Sequence, residues 1–365
     1  MNRREVLLLL GLTACGSHPK PRRPRKRQRA TYDVGPPPPH GDDWSNKNTT
    51  QYGTSPLAVR DDLIARVTTD ELLFIDATSL LTTDLVQVPF RSVCVTPNGA
   101  ILGFTDSNRG PCELDVFDPA PHLAHAWPTD GCVPGDGYHL VAAGVSDVYT
   151  SRGNRYVAHY RLENDGLTKL KELRLSDLAV AGRTQAVGLP DGRVLIPASD
   201  SIQIYGESTP HSIAVKGSIA HLCRGAGDRI WYSTFHDHVV DRVVLARLGP
   251  TIGTNAPTIE AELSFAPARV THMASGEDGS LVVMTFLLTK TEWHWVLVLV
   301  DPSGREQRRI EVEDDIVKPI NVNLNAAFVA RTASSVVVDA RDFGLFGWNI
   351  ATGARIPQPT PADNG

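Results

Sequence analysis

The chain lacks most of the short motifs that announce a chemistry. No Gly-x-Ser-x-Gly elbow, no phosphate-binding P-loop and no Cys-x-x-Cys pair occurs in its 365 residues, which removes the mechanisms built on those motifs. Long helical periodicity is missing beyond residue 55, so a helical domain is excluded. The folded part has no excess of positive charge. Residues 1–29 hold nine of the 36 Lys and Arg and one of the 41 Asp and Glu, leaving 27 basic against 40 acidic residues from Ala30 onward. A body near −13 argues against a duplex nucleic acid as partner. The acidic turns "GDGYH" near Gly135 and "GEDG" near Gly276 lack the ligand spacing of a calcium loop and read as turns. No cofactor motif is present, and no cofactor is expected.

The opening residues carry a definite signal. Arg3 and Arg4 precede an apolar run from Val6 to Leu12, far short of the about 20 residues a membrane-spanning helix needs. Leu12-Thr13-Ala14-Cys15 follows, with small residues directly before a cysteine. This order resembles the lipobox of bacterial lipoproteins, which implies a signal peptide in residues 1–15 ending in the lipobox, a diacylglycerol on the Cys15 thiol, and cleavage just before Cys15, which becomes the new N-terminus. Each buried CH₂ contributes about 0.8 kcal/mol, so two or three acyl chains would hold the protein on a membrane. Gly16 at the next position, where Asp would favour inner-membrane retention, points to an outer membrane, facing the periplasm or the cell surface, if the host is Gram-negative. Asn2-Arg3-Arg4-Glu5-Val6-Leu7 also resembles a twin-arginine export signal, and an ordinary Sec signal fits the same residues.

Residues 16–43 are basic and then proline-rich, with seven Lys and Arg from Lys20 to Arg29 and the run Gly35-Pro36-Pro37-Pro38-Pro39. Such a stretch cannot bury a core and reads as a disordered tether, tending to polyproline II. The basic tract either lies against anionic headgroups or spaces the domain from the bilayer. Residues 359–365 read as a disordered tail.

Between them, residues 44–358 repeat one unit: a β-branched or aromatic strand, a turn opening on a polar residue, and a return strand. The turn falls at Asp76, Asp118, Glu163, Gly206, Arg247, Asp301 and Asn349, at intervals of 42, 45, 43, 41, 54 and 48 residues. Each interval has space for two further strands. These are visible in "RSVCVTPNGAILGFTD", "AVGLPDGRVLIPAS" and "VTHMASGEDGSLVVMTF", each folded about an Asn-Gly or Asp-Gly turn. Four antiparallel strands per 40 to 50 residues is the period of a β-propeller blade. The expected fold is therefore all-β, a seven-bladed β-propeller of four-stranded antiparallel blades after a disordered N-terminal segment. The blades are expected at about 56–89, 91–128, 138–175, 184–216, 218–264, 270–312 and 326–357. The pattern resembles the WD40-like and YVTN-type propeller repeats, although it has neither a Trp-Asp ending nor a recurrent Tyr-Val-Thr-Asn. A pair of large β-sandwiches is the rival architecture.

With strands A to D counted outward from the channel, the B–C loop and the end of D emerge on one face. Cys112 falls in the B–C loop of the second unit and Cys132 just beyond its D strand, so a disulfide between them is expected, worth about 3 kcal/mol. Cys94 and Cys223 occupy matching A strands of units two and five, nearly opposite each other, and read as buried unbridged thiols.

The same B–C face gathers Arg109, Arg152, Trp293, His294, Trp295, Arg341 and Asp342 as a candidate binding face. Trp293 and Trp295 offer large rigid contact area to a sugar or peptide, or fill space between blades. In "FHDHVVD", His236, His238 and Asp241 make a candidate metal set suited to zinc, with ordinary polar loop residues as the alternative. The expected function is a lipid-anchored cell-envelope scaffold, membrane-bound through its anchor and holding another envelope protein. A metal-dependent lyase or hydrolase and a glycan or peptidoglycan-binding module are the alternatives.

Overall fold

The computed structural model describes residues 57–359 apart from 69–70, 88–89, 97–98, 106–112, 118–122, 129–137, 145, 153–155, 164–165, 175–185, 198–199, 207–210, 236–238, 249–256, 289–291, 317–327 and 341–343; residues 1–56 and 360–365 also lie outside it. The described residues form seven antiparallel sheets of four strands, each sheet built from strands consecutive in sequence. Blade one is β1 (Leu57–Arg60), β2 (Leu63–Val67), β3 (Leu72–Asp76) and β4 (Thr82–Val86); blade two is β5 (Phe90–Val95), β6 (Ile101–Thr105), β7 (Glu113–Phe117) and β8 (Leu123–Pro128). Blade three is β9 (Tyr138–Ala143), β10 (Asp147–Arg152), β11 (Tyr156–Glu163) and β12 (Gly166–Arg174); blade four is β13 (Val187–Gly188), β14 (Val194–Pro197), β15 (Ser201–Tyr205) and β16 (His211–Ala214). Blade five is β17 (Ile219–Arg224), β18 (Arg229–Thr234), β19 (Arg242–Arg247) and β20 (Thr258–Ser264); blade six is β21 (Arg269–Ser275), β22 (Leu281–Leu288), β23 (Trp293–Val300) and β24 (Glu306–Glu311). Blade seven is β25 (Phe328–Arg331), β26 (Ser335–Asp339), β27 (Leu345–Asn349) and β28 (Arg355–Ile356).

The innermost strands β1, β5, β9, β13, β17, β21 and β25 each neighbour the next, and β25 returns to β1. This closes a seven-bladed propeller and sets aside the sandwich rival. Each blade therefore presses both sheet faces on its neighbours, which explains why the middle strands read as unbroken apolar runs instead of alternating ones. Every residue of β14 and β26 is buried, whereas β20 and β24 on the outer rim are mostly exposed.

Seven apolar clusters fill the seven blade interfaces. Phe74 and Phe117 meet edge-on between blades one and two, with ring centroids 5.7 Å apart. Leu102 and Leu114 face Val148 and Tyr160 between two and three, and Tyr149 and Val157 face Val194 and Ile196 between three and four. Leu195 and Ile202 pack on Leu222 and Ile230; Trp231 and Leu245 pack on Leu281 and Val283; Trp295 and Leu297 pack on Val336 and Trp348. Ile64, Ile75 and Leu80 of blade one meet Val337 and Ile356 of blade seven.

That last interface carries extra polar ties. Arg66 of β2 forks onto Asp339 of β26, Nε to Oδ2 at 3.0 Å and Nη2 to Oδ1 at 2.7 Å, and Asp339 is fully buried. Asp62 Oδ1 accepts hydrogen bonds from Thr332 Oγ1 at 2.9 Å, the Ser334 amide at 2.9 Å and Ser334 Oγ at 2.7 Å. Since β28 comes from the same continuous segment as the rest of blade seven, these side chains, together with the Ala333 amide donating to the Asp61 carbonyl at 3.0 Å, hold the two ends of the ring together.

In three of the repeats the polar residue that marks the unit organises the C–D turn. Asp76 Oδ1 accepts from the Thr78 amide at 2.7 Å, Thr78 Oγ1 at 2.6 Å and the Ser79 amide at 3.1 Å. Asp301 does the same for the Ser303 amide at 2.8 Å, Ser303 Oγ at 2.7 Å and the Arg305 amide at 3.0 Å, and Asn349 for the Thr352 amide at 3.0 Å. Cys94 and Cys223 sit in β5 and β17 and neither is bridged. Cys223 is buried, which pushes its thiol up to about 12, while Cys94 is only half-buried, unlike the full burial expected. Cys15, Cys112 and Cys132 lie outside the described residues.

Candidate functional site: the two mouths of the channel

Because both sheet faces of every blade are consumed by packing, the loops at the two ends of the channel are where recognition can be built. On the B–C side, blades three and six supply the described part of the candidate face. His294, near the start of β23, is exposed, with Nε2 3.8 Å from Glu292. Trp295 is a correction: at 1% exposure it packs on Phe286, ring centroids 5.2 Å apart, inside the blade-six and blade-seven core. The alternation of a strand explains this, since neighbours His294 and Trp295 take opposite faces and the indole takes the interface. Trp293 opens β23 and Arg152 ends β10, which puts both at the B–C end of their blades; their side chains lie outside the described residues, as do Arg109, Arg341, Asp342, His236 and His238.

Asp241, the remaining member of the candidate metal set, precedes β19. Its backbone carbonyl accepts the Phe265 amide at 2.8 Å, and its Oδ1 stands 3.9 Å from Arg242 Nε, sealed from water without a hydrogen bond. Among the described residues no three His, Cys, Asp or Glu side chains are grouped to hold a metal.

Along the channel wall, His221 of β17 ties blade five to blade six: Nδ1 meets Ser233 Oγ at 2.8 Å and Nε2 meets the Thr271 carbonyl at 2.8 Å. His272 and Phe328 continue the row, with centroid separations of 6.4 Å from His221 to His272 and 6.3 Å from His272 to Phe328. In blade three, His159 stacks on Tyr149 at 4.3 Å and bonds Asp147 at 2.6 Å. The Tyr149 hydroxyl donates to the Gly192 carbonyl of blade four at 2.9 Å, and burial raises its pKa. His221 joins neighbouring blades and His159 neighbouring strands.

The opposite mouth, where the A strands end and the A–B turns begin, holds a cavity of about 520 Å³. It is lined from five blades: Arg60 and Asp61 of blade one, Thr96 and Gly99 of blade two, Leu189 of blade four, Arg224 of blade five, and Ser275 and Glu277 of blade six. Its arginines were not among the residues that sequence reasoning singled out. The signal lies in strand endings: β1, β17 and β25 all close on arginine, at Arg60, Arg224 and Arg331. Arg60 is fixed in place, its Nη1 donating to the Gly99 carbonyl at 2.7 Å. Gly99 has φ +86°, and a Cβ there would fall 2.4 Å from the Arg60 guanidinium carbon. Arg331 is buried behind the wall and donates through Nε to Ser280 Oγ. Desolvation lowers its pKa while Asp278 acts in the opposite direction.

No protein-family model and no curated protein matches the chain. Solved structures do. Kluyvelomyces marxianus Hsv2 superposes with a TM-score of 0.51 at 12% identity, over 80% of this chain and 92% of that one. The β-propeller domain of Myceliophteria thermophila Cps50 (Swd1) gives a TM-score of 0.51 at 12% identity, over 81% of this chain and 94% of that one. This likeness is one of fold: a seven-bladed β-propeller.

Proposed function

We propose that the chain is a lipid-anchored scaffold of the bacterial cell envelope, tethered through Cys15 and holding a partner protein on the B–C face of its propeller. The observation that carries the reading is the closed ring itself, with an apolar cluster in every blade interface. Such a ring spends its sheet faces on its own stability and presents loops on a stiff frame, a surface suited to protein capture without a catalytic motif. The Leu12-Thr13-Ala14-Cys15 order and the basic, proline-rich tether support anchoring and reach.

Two measurements test it. Radiolabelled palmitate should label the wild-type protein and not Cys15→Ser, which should also leave the membrane fraction; equal labelling of both overturns the anchor. Crosslinking in native envelopes should yield a discrete protein partner that is lost on combined replacement of Arg109, Trp293 and Arg341 by Ala. Undiminished crosslinking by that variant would remove the B–C face as the docking surface.

A further inference from the structure

The mouth opposite the proposed docking face has the composition of a small-molecule site. Its volume of about 520 Å³ lies within the 300–1,000 Å³ that ligand pockets span. Arg224 lines it half-buried, and among the described residues its side chain makes no ion pair or hydrogen bond; its Nε is sealed from water and unpartnered. An N–H of a guanidinium sealed from water without an acceptor is costly, and a planar fork of donors suits a carboxylate. Arg60 adds a second guanidinium already held rigid on Gly99.

Carboxylates occupy the outer part of the same cavity. The Asp61 side chain is 78% exposed, with Oδ2 3.8 Å from Arg60 Nε, and exposed Glu277 accepts the Asp61 amide through Oε1 at 3.3 Å. Two partly buried cations and two exposed anions lining one cavity match a ligand carrying both charges. Val59, Val95 and Leu189 provide apolar wall to the same cavity.

We propose that this mouth binds a small zwitterion of the dipeptide class, its carboxylate received by Arg224, with Arg60 lining the same mouth, and its ammonium by Asp61 and Glu277. Neither the lipid anchor nor the B–C docking surface is needed for it. The test is isothermal titration of the full-length protein with the twenty Gly-Xaa dipeptides, followed, for each that binds, by its C-terminal amide and its N-acetyl derivative. At least one dipeptide should bind at one per chain, with both derivatives at least tenfold weaker. Arg224→Gln should abolish the preference for the free acid over the amide, and Glu277→Gln, an exposed change that spares the fold, should abolish the preference for the free amine over the acetyl form. Absence of saturable binding by every dipeptide, equal binding of the derivatives, or unchanged selectivity in Glu277→Gln overturns the site.

Discussion

At the scale of the residue, the turn anchors show how a titrating group is built into a repeat. The Asp76 and Asp301 pKa values are lowered chiefly by the hydroxyls of Thr78 and Ser303, with backbone amides helping. A carboxyl whose folded pKa is depressed contributes stability above its unfolded value, lost as pH falls through the folded one. Asn349 fills the same place without titrating, so Asp76→Asn with Asp301→Asn should flatten the decline of the urea midpoint below pH 4. Asp301→Ala, which removes the acceptor, should cost about 1 kcal/mol at pH 7. Cys223 acts at the alkaline end. Burial raises its pKa from 9.0 to about 12, so its contribution is complete below pH 9 and disappears as pH climbs through the folded value. In the native protein at pH 8 the buried thiol should resist iodoacetamide and become modified only in urea, as read by mass spectrometry of its peptide. Rapid native labelling would contradict the packing around β17.

At the scale of the element, the A–B turns decide how the mouth is shaped. Gly99→Ala forces a left-handed φ on alanine and drives a methyl into the Arg60 guanidinium; it should destabilise by about 1–2 kcal/mol and weaken dipeptide binding together with stability. Gly166→Ala in β12, where a Cβ meets nothing within 4 Å, should leave the urea midpoint nearly unchanged and is the natural control. Elements of this kind were the legible part of the sequence. Among the described anchors, Asp76, Glu163, Arg247 and Asn349 end their C strands, and Gly206 and Asp301 directly follow theirs; a turn must interrupt the ladder at one place per blade, so its chemistry repeats. The site was less legible. Trp295 looked available because an indole in an apolar strand reads alike whether it meets solvent or the next blade, and only the ring decides. Arg60 and Arg224 were overlooked because their residues are 164 positions apart, and only closure of seven A strands brings them to one cavity.

At the scale of the whole molecule, stability depends on whether the ring stays shut. Blade seven meets blade one through a small apolar cluster, the Asp62 hydrogen bonds and the Arg66–Asp339 fork. Arg66 is 14% exposed and the Asp339 side chain 0%, so the pair is shielded from the screening that weakens surface ion pairs. Removing the cation alone would break the fork on a buried carboxylate, at a cost of about 3–5 kcal/mol. Arg66→Met should therefore lower the urea midpoint strongly. Asp339→Leu on top of it removes the buried charge and should restore most of the loss, because a buried ion pair often stabilises no more than an apolar pair of similar volume. The two results separate a clasp that works by charge from one that works by shape. If the single change is mild, closure rests on the apolar cluster and the Asp62 bonds. A severe single change that the second cannot rescue would mean that the directional fork itself holds blade seven in register with blade one, and hydrogen exchange at β1 and β25 would then quicken before exchange at the other blade interfaces.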